Sequence, residues 1–170
     1  MKVGSIGLTA LTAALVLSGC ASSSSDVVKP LPLALAKSGF VETIDVKSVP
    51  VNVSSDFKAM LVADLQKTLK LCAKGTTPLR LEASVTQFKG QNAFATILIG
   101  DSNLIRGSVQ LIDPATKAVV GDYDISRSQG GGGLIAAAAL SGAEGQMTDA
   151  FAKEVCVQAF GWNPATQTAQ

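Results

Sequence analysis

The sequence predicts an α+β fold: a mostly antiparallel sheet of about four or five strands with two helices packed on one face, in the order strand, helix, strands, helix. Three observations carry this expectation. Several stretches alternate apolar and polar residues with period two, two others repeat apolar residues every three or four positions, and the 170-residue length leaves room for one core after both ends are set aside. A single domain over residues 36–162 is therefore expected, followed by a polar tail over 163–170.

The N-terminus comes first in chain order. Met1 and Lys2 make a short positive start, Ile6 to Leu17 supply an apolar stretch of twelve residues, and Ser18-Gly19-Cys20 closes it. This is the layout of a secretory signal over residues 1–19, and it is too short to cross a membrane as a helix. Small residues directly before a cysteine resemble the lipobox of bacterial lipoproteins. That resemblance implies cleavage before Cys20, diacylglycerol on its thiol, and a further acyl chain such as palmitate on the new amino terminus. Two or three chains hold a protein stably on a bilayer where one does not. Position 21 is alanine rather than aspartate, so the resemblance implies, in a diderm host, the periplasmic face of the outer membrane. Residues 20–35 then read as the lipidated cysteine and a flexible tether, rich in serine and broken by Pro30 and Pro32.

The body follows. Ile44 and Val46 begin a strand that changes phase at Ser48 to reach Val49, Val51 and Val53; a bulge accounts for the change, and Pro50 assigns the strand to an edge. Ser54 or Ser55 can cap a helix with Phe57, Leu61, Leu65, Leu69 and Cys72 on one side and Lys74-Gly75 at its end. Leu79, Leu81, Ala83 and Val85 alternate with polar residues, as do Ile105, Gly107, Val109 and Leu111, and then Val119, Gly121, Tyr123 and Ile125. Asp113-Pro114 between the last two stretches starts a type I turn, which makes them an antiparallel hairpin. The final helix carries Met147, Phe151, Val155 and Ala159 on one face, with Asp149, Lys153 and Glu154 expected in solvent. Ala93 to Ile99 fits a further strand, as core, or an apolar contact surface. Four glycines at 130–133 make a flexible joint before Leu134-Ile135 and a run of four alanines.

After Cys20, the remaining cysteines are Cys72 and Cys156, an even pair for a compartment that permits disulfides. If both helices lie on the same face of the sheet, the two sulfurs can meet; the competing reading is two small buried residues that never touch.

Composition excludes much chemistry. There is no histidine, which removes the usual general base and every serine or cysteine constellation built on one. Removing Lys2 with the leader leaves 13 basic against 13 acidic residues, so no nucleic-acid surface is expected. Ser55-Asp56-Phe57-Lys58 matches a serine-x-x-lysine pattern but lacks the accompanying elements, leaving Ser55 as a helix cap. The glycine run lacks the lysine of a phosphate loop. Asp122 and Asp124 fit an exposed strand face better than a metal site. No catalytic residue, cofactor or metal is expected.

Arg80-Leu81 with Val85, Phe88-Lys89-Gly90 with Asn92, Gly100, Val109-x-Leu111-x-Asp113, and Thr116 followed by Val120-Gly121 together resemble a family of small proteobacterial lipoproteins, DUF4410. The glycine-rich segment before the last helix fits as well. The chain departs from the family's pattern at Gly100-Asp101-Ser102 and at Lys117, where the family's turn has glycine. The resemblance implies kinship with the auxiliary lipoproteins of ABC transporters. The function expected is that of a non-enzymatic, membrane-anchored module contacting an envelope assembly or transport system through an edge strand or the 93–99 stretch. The alternative is a carrier holding a small molecule or lipid between sheet and helices.

Overall fold

The three alternating stretches form the centre of a six-stranded sheet. The fold is that of a computed structural model, which describes residues 21–90, 101–131 and 142–164. In chain order the elements are β1 (Ala21–Ser23), β2 (Asp26–Lys29), α1 (Leu33–Ser38), β3 (Gly39–Ser48), α2 (Phe57–Cys72), β4 (Thr77–Lys89), β5 (Asp101–Ile112), β6 (Val119–Gly131) and α3 (Ala143–Phe160). The sheet runs β1-β6-β5-β4-β3, with β2 also paired to β6. All pairings are antiparallel except β3 with β4, which are parallel and joined through α2. The α+β expectation therefore holds, with more strands than expected and the short extra helix α1.

Alternation decides which side of the sheet is covered. Leu79, Leu81, Ala83 and Val85 of β4, Ile105, Val109 and Leu111 of β5, and Tyr123 and Ile125 of β6 are all buried beneath the helices. They meet Phe57, Leu61, Leu65 and Leu69 of α2 and Met147, Phe151, Val155 and Ala159 of α3, which are buried on the predicted helix faces. Burying each of the larger of these side chains contributes about 1.5–3 kcal/mol, so this one interface holds the body together. Phe57 meets Phe88 edge to face at 5.6 Å between ring centroids, pinning the start of α2 over the end of β4. Gly107 lies where β4 bulges between Val85 and Gln87, and a Cβ there would stand 2.3 Å from the Ser84 carbonyl oxygen. Only glycine allows β5 to approach β4 so closely.

Several expectations change in detail. β3 begins earlier than Ile44 and ends at Ser48, so Val49 to Val53 continue as turns rather than strand, although a bulge does fall between Val46 and Ser48. The N-cap of α2 is Asp56, without a side-chain cap bond; Ser54 instead directs its N–H to Glu144 at 2.9 Å and its hydroxyl to the same carboxylate. That carboxylate on α3 outcompetes capping because it accepts two donors at once and ties the starts of both helices. The hairpin turn forms as expected, with Asp113 Oδ1 accepting the Ala115 N–H at 2.8 Å. Lys117 takes the left-handed conformation, φ 63°, at the position where glycine would sit without strain. α3 ends at left-handed Gly161, whose N–H bonds the Val157 carbonyl at 3.1 Å.

The largest departure concerns the run expected as a tether. Residues 21–29 belong to the sheet: Ala21 lies opposite Gln129, Ser23 opposite Arg127 and Asp26 opposite Asp124. Leu31 is buried, and its N–H donates to the Tyr123 hydroxyl at 2.8 Å. Serine-rich composition signals a segment with no core of its own, but pairing with β6 satisfies its backbone without one. Cys20, the 93–99 stretch and Gly132-Gly133 lie outside the described residues, as do residues 165–170 of the polar tail.

Candidate functional site: a free sheet edge and an open polar face

Because β1 and β2 cover one edge of the sheet only in short pieces, the long uncovered edge is β3, ten residues paired with β4 alone. Its outer row of backbone donors and acceptors is the largest unsatisfied backbone surface of the sheet, the feature on which strand addition works. Beside it, Phe40, Val41 and Ile44 of β3 and Leu69 and Ala73 of α2 line an open groove of about 400 Å³, rimmed by Glu42, Gln66 and Lys70. The apolar floor and charged rim give the groove a place for an apolar side chain carried by an added strand. Two bulges, between Val41 and Thr43 and between Val46 and Ser48, leave Glu42 and Lys47 outside the β3–β4 register. Those charges limit self-pairing of the edge.

The sheet face away from the helices is polar and uncovered. Asp45, Glu82, Gln110 and Asp122 stand in one row across four strands, with Lys29 opposite Asp122. Glu82 pairs with Arg80 and with Lys47 at 3.3 Å, and Gln110 Nε2 donates to Asp122 at 2.9 Å. The hydrogen bond from Lys47, ahead of a small opposing desolvation, holds Asp45 below the usual carboxylate range. A second row, Ser84, Ser108, Asp124 and Asp26, borders a shallow cleft of about 560 Å³ that also takes in Thr86, Arg106 and Ser126. Asp122 and Asp124 thus serve a polar sheet surface, and among the described residues no three His, Cys, Asp or Glu side chains converge on a metal position.

Glu154 overturns the expectation that it is solvated. Its side chain is 5% exposed, receives Arg127 Nη1 at 3.1 Å and Gln158 Nε2 at 2.7 Å, and accepts the Ser23 hydroxyl at 2.5 Å. Burial pushes the Glu154 carboxyl up, but the Ser23, Gln158 and Ser25 hydrogen bonds and the Arg127 charge outweigh it, so its pKa ends below the ordinary value. The carboxylate latches β1 to β6 and α3 at once. Sequence reading missed it because helical periodicity alone places position 154 toward solvent, and its partners arrive from residues 23 and 127. Tyr123 is the companion contact: burial raises its pKa, partly offset by the Leu31 N–H.

Cys72 and Cys156 are joined, with Cα atoms 5.8 Å apart, and the bond links the lower halves of α2 and α3. Ser55 gives its hydroxyl to Asp56 at 3.3 Å rather than to Lys58, and both Ser55 and Lys58 are exposed, so the serine-x-x-lysine spacing assembles no nucleophile. The carrier alternative needs space beneath the helices. That space is filled by Phe57, Leu61, Leu65, Met147 and Phe151, each fully buried, and the two clefts described above open on the outer surface.

No family model matches the chain, and no curated protein matches it. Similar solved structures include the PelC dodecamer from Paraburkholderia phytofirmans, 12% identical with a TM-score of 0.48, covering 82% of this chain and 99% of that one. A candidate lipoprotein from Caulobacter crescentus is 18% identical with a TM-score of 0.44, covering 77% and 97%. A Xanthomonas campestris protein of the DUF330 family is 14% identical with a TM-score of 0.45, covering 71% and 84%. Among the described residues no helix is long and apolar enough to cross a membrane.

Proposed function

We propose that the protein is a non-enzymatic, lipid-anchored accessory module of the cell envelope, held by acyl chains on Cys20 at the periplasmic face of the outer membrane, and that it engages a protein partner by strand addition at β3. The observation that carries the reading is the ten-residue β3 edge, paired on one side only and bordered by the groove against α2. The Ser18-Gly19-Cys20 sequence after an apolar leader supports the anchor, and the Cys72–Cys156 bond is at home in an oxidising compartment. The resemblance to DUF4410 and its kinship with transporter auxiliary lipoproteins suggest a transport or export assembly as the partner.

A photo-crosslinking amino acid at Thr43, exposed on β3, tests the edge in native cells, with Gln110 on the sheet's open face as the comparison position. A discrete adduct from position 43 and none from 110 supports the reading. Recovery of the uncrosslinked domain alone from both positions, with the protein retained in membranes, rejects strand addition. The mass of the N-terminal peptide decides the anchor separately.

A further inference from the structure

Strand directions place several features at one end of the body. β6 ends there at Gly131, and Ala21, the residue after Cys20, lies opposite Gln129 two residues earlier. β4 ends there at Lys89 and β5 starts there at Asp101, opposite Gly131. Both α2 and α3 begin there, tied by the Ser54–Glu144 bonds, and Asn52 Nδ2 reaches the Phe88 carbonyl at 2.9 Å. The turn that carries Asn52 exposes Val51 completely, the most exposed large apolar side chain among the described residues.

The chain leaves and rejoins the described body twice at this end, between Gly90 and Asp101 and between Gly131 and Gly142. By sequence, the connecting stretches include Ala93-Phe94-Ala95-Thr96-Ile97-Leu98-Ile99 and Leu134-Ile135 followed by four alanines and Leu140, with no charged residue in either. At the opposite end lies the polar turn from Asp113 to Ala118, about 40 Å away by the rise of a thirteen-residue strand. Charge does not distinguish the two ends: near Val51, Lys89 is paired with Asp101 and Glu144 with Ser54. Apolarity does.

We infer that the end of the domain bearing Ala21 and Val51 rests on the lipid bilayer itself, so that the body has a second, apolar contact with the membrane beside the acyl chains. The inference builds on the proposed anchor at Cys20, because β1 starts one residue later and leaves no free length to lift the body away. A surface of this kind is held by burial of apolar side chains at the boundary of headgroups and acyl chains. Its contact is insensitive to salt and to anionic lipid, unlike a basic patch.

The test uses the full lipoprotein in vesicles of phosphatidylethanolamine and phosphatidylglycerol. Cys72 and Cys156 are bonded to each other, so a thiol introduced by Val51→Cys or by Ala115→Cys, exposed in the distal turn, takes a nitroxide selectively. The expected result is loss of collision of the label at 51 with a water-soluble relaxation agent and gain of collision with oxygen, in low and high salt alike, while the label at 115 stays in water. Both labels in water, on protein whose N-terminal peptide carries lipid and which floats with the vesicles, overturns the inference and leaves the anchor standing. If the peptide carries no lipid, the anchor falls, and the same two labels still decide: unlipidated protein that floats with its 51 label protected retains the docking surface, and protein that does not float removes it.

Discussion

Replacing Glu154 by glutamine should loosen the N-terminal strands more than any other single polar change among the described residues. The carboxylate holds Arg127 at 3.1 Å, the Ser23 hydroxyl at 2.5 Å and Gln158 at 2.7 Å, with its side chain 5% exposed. Glutamine keeps the size but turns an amide donor toward a guanidinium that only donates. Removing one partner of a fully buried ion pair costs about 3–5 kcal/mol. Arg127 is 24% exposed, so water takes up part of that loss, and about 2–3 kcal/mol is expected. For a chain of this size that is a fall of about 5–10 °C in Tm. Urea unfolding followed by Trp162, the single tryptophan, reads the global part. Amide exchange over residues 21–29 reads the local part, which should exceed the global one because Ser23 loses its acceptor directly. Ser23→Ala should cost about 1.5 kcal/mol by itself, and less on top of Glu154→Gln, because the two share one bond. Unchanged unfolding and unchanged exchange at 21–29 in Glu154→Gln would refute the latch.

Three further outcomes follow from the same geometry. Reducing the Cys72–Cys156 bond, which spans a sequence separation of 84, should destabilise the protein by about 4–5 kcal/mol on the chain-entropy account, seen as a lower urea midpoint with reductant than without. Gly107→Ala should cost about 2–3 kcal/mol, because its Cβ meets the backbone of β4 rather than a side chain that can swing aside; a soluble variant with wild-type Tm would show that the strands can part without penalty. Acid should weaken the fold through Glu154 and Asp113, the latter held low by the Ala115 N–H and then the Thr116 hydroxyl. Their folded pKa values lie below the unfolded ones, so their contribution is complete above the unfolded values of 4.5 and 3.8 and is lost as pH falls through the folded values. The stability difference between wild type and Glu154→Gln should therefore shrink below about pH 4.5 and stay constant above pH 6, as measured by urea midpoints across pH.

What the sequence revealed and what it hid have separate physical causes. β4, β5 and β6 were legible because each has one wet and one dry face, which forces period two, and the Asp113-Pro114 turn fixes their pairing. The faces of α2 and α3 were legible for the same reason at helical period, and with both helices on one side the meeting of Cys72 and Cys156 became possible. The N-terminal strands were hidden because what holds them is not periodic. Ser22 to Ser25 contribute hydroxyls and backbone, and the partners that make those useful, Arg127, Tyr123 and Glu154, are scattered along the chain. Glu154 was misplaced by the same gap, since a helix wheel knows only its own residues. Val49, Val51 and Val53 misled in the other direction: alternation promised more strand, but β4 is occupied beyond Ser84 by its own bulge opposite Gly107, and Asn52 closes a turn onto Phe88 instead.

The ordered N-terminus also constrains how a partner could be reached. With β1 starting at Ala21, an acylated Cys20 holds the strands steeply to the bilayer, with the Asp113–Ala118 turn farthest from it. β3 then stands at the far side of the sheet from the anchor, about 20 Å away across four strand spacings, and rises from its Ser48 end near the membrane to its Gly39 end away from it. A strand added to that edge must itself run along the membrane normal. That geometry favours a segment leaving a membrane-embedded assembly over a freely diffusing periplasmic peptide, because only the former arrives already aligned and so loses less orientational freedom on pairing.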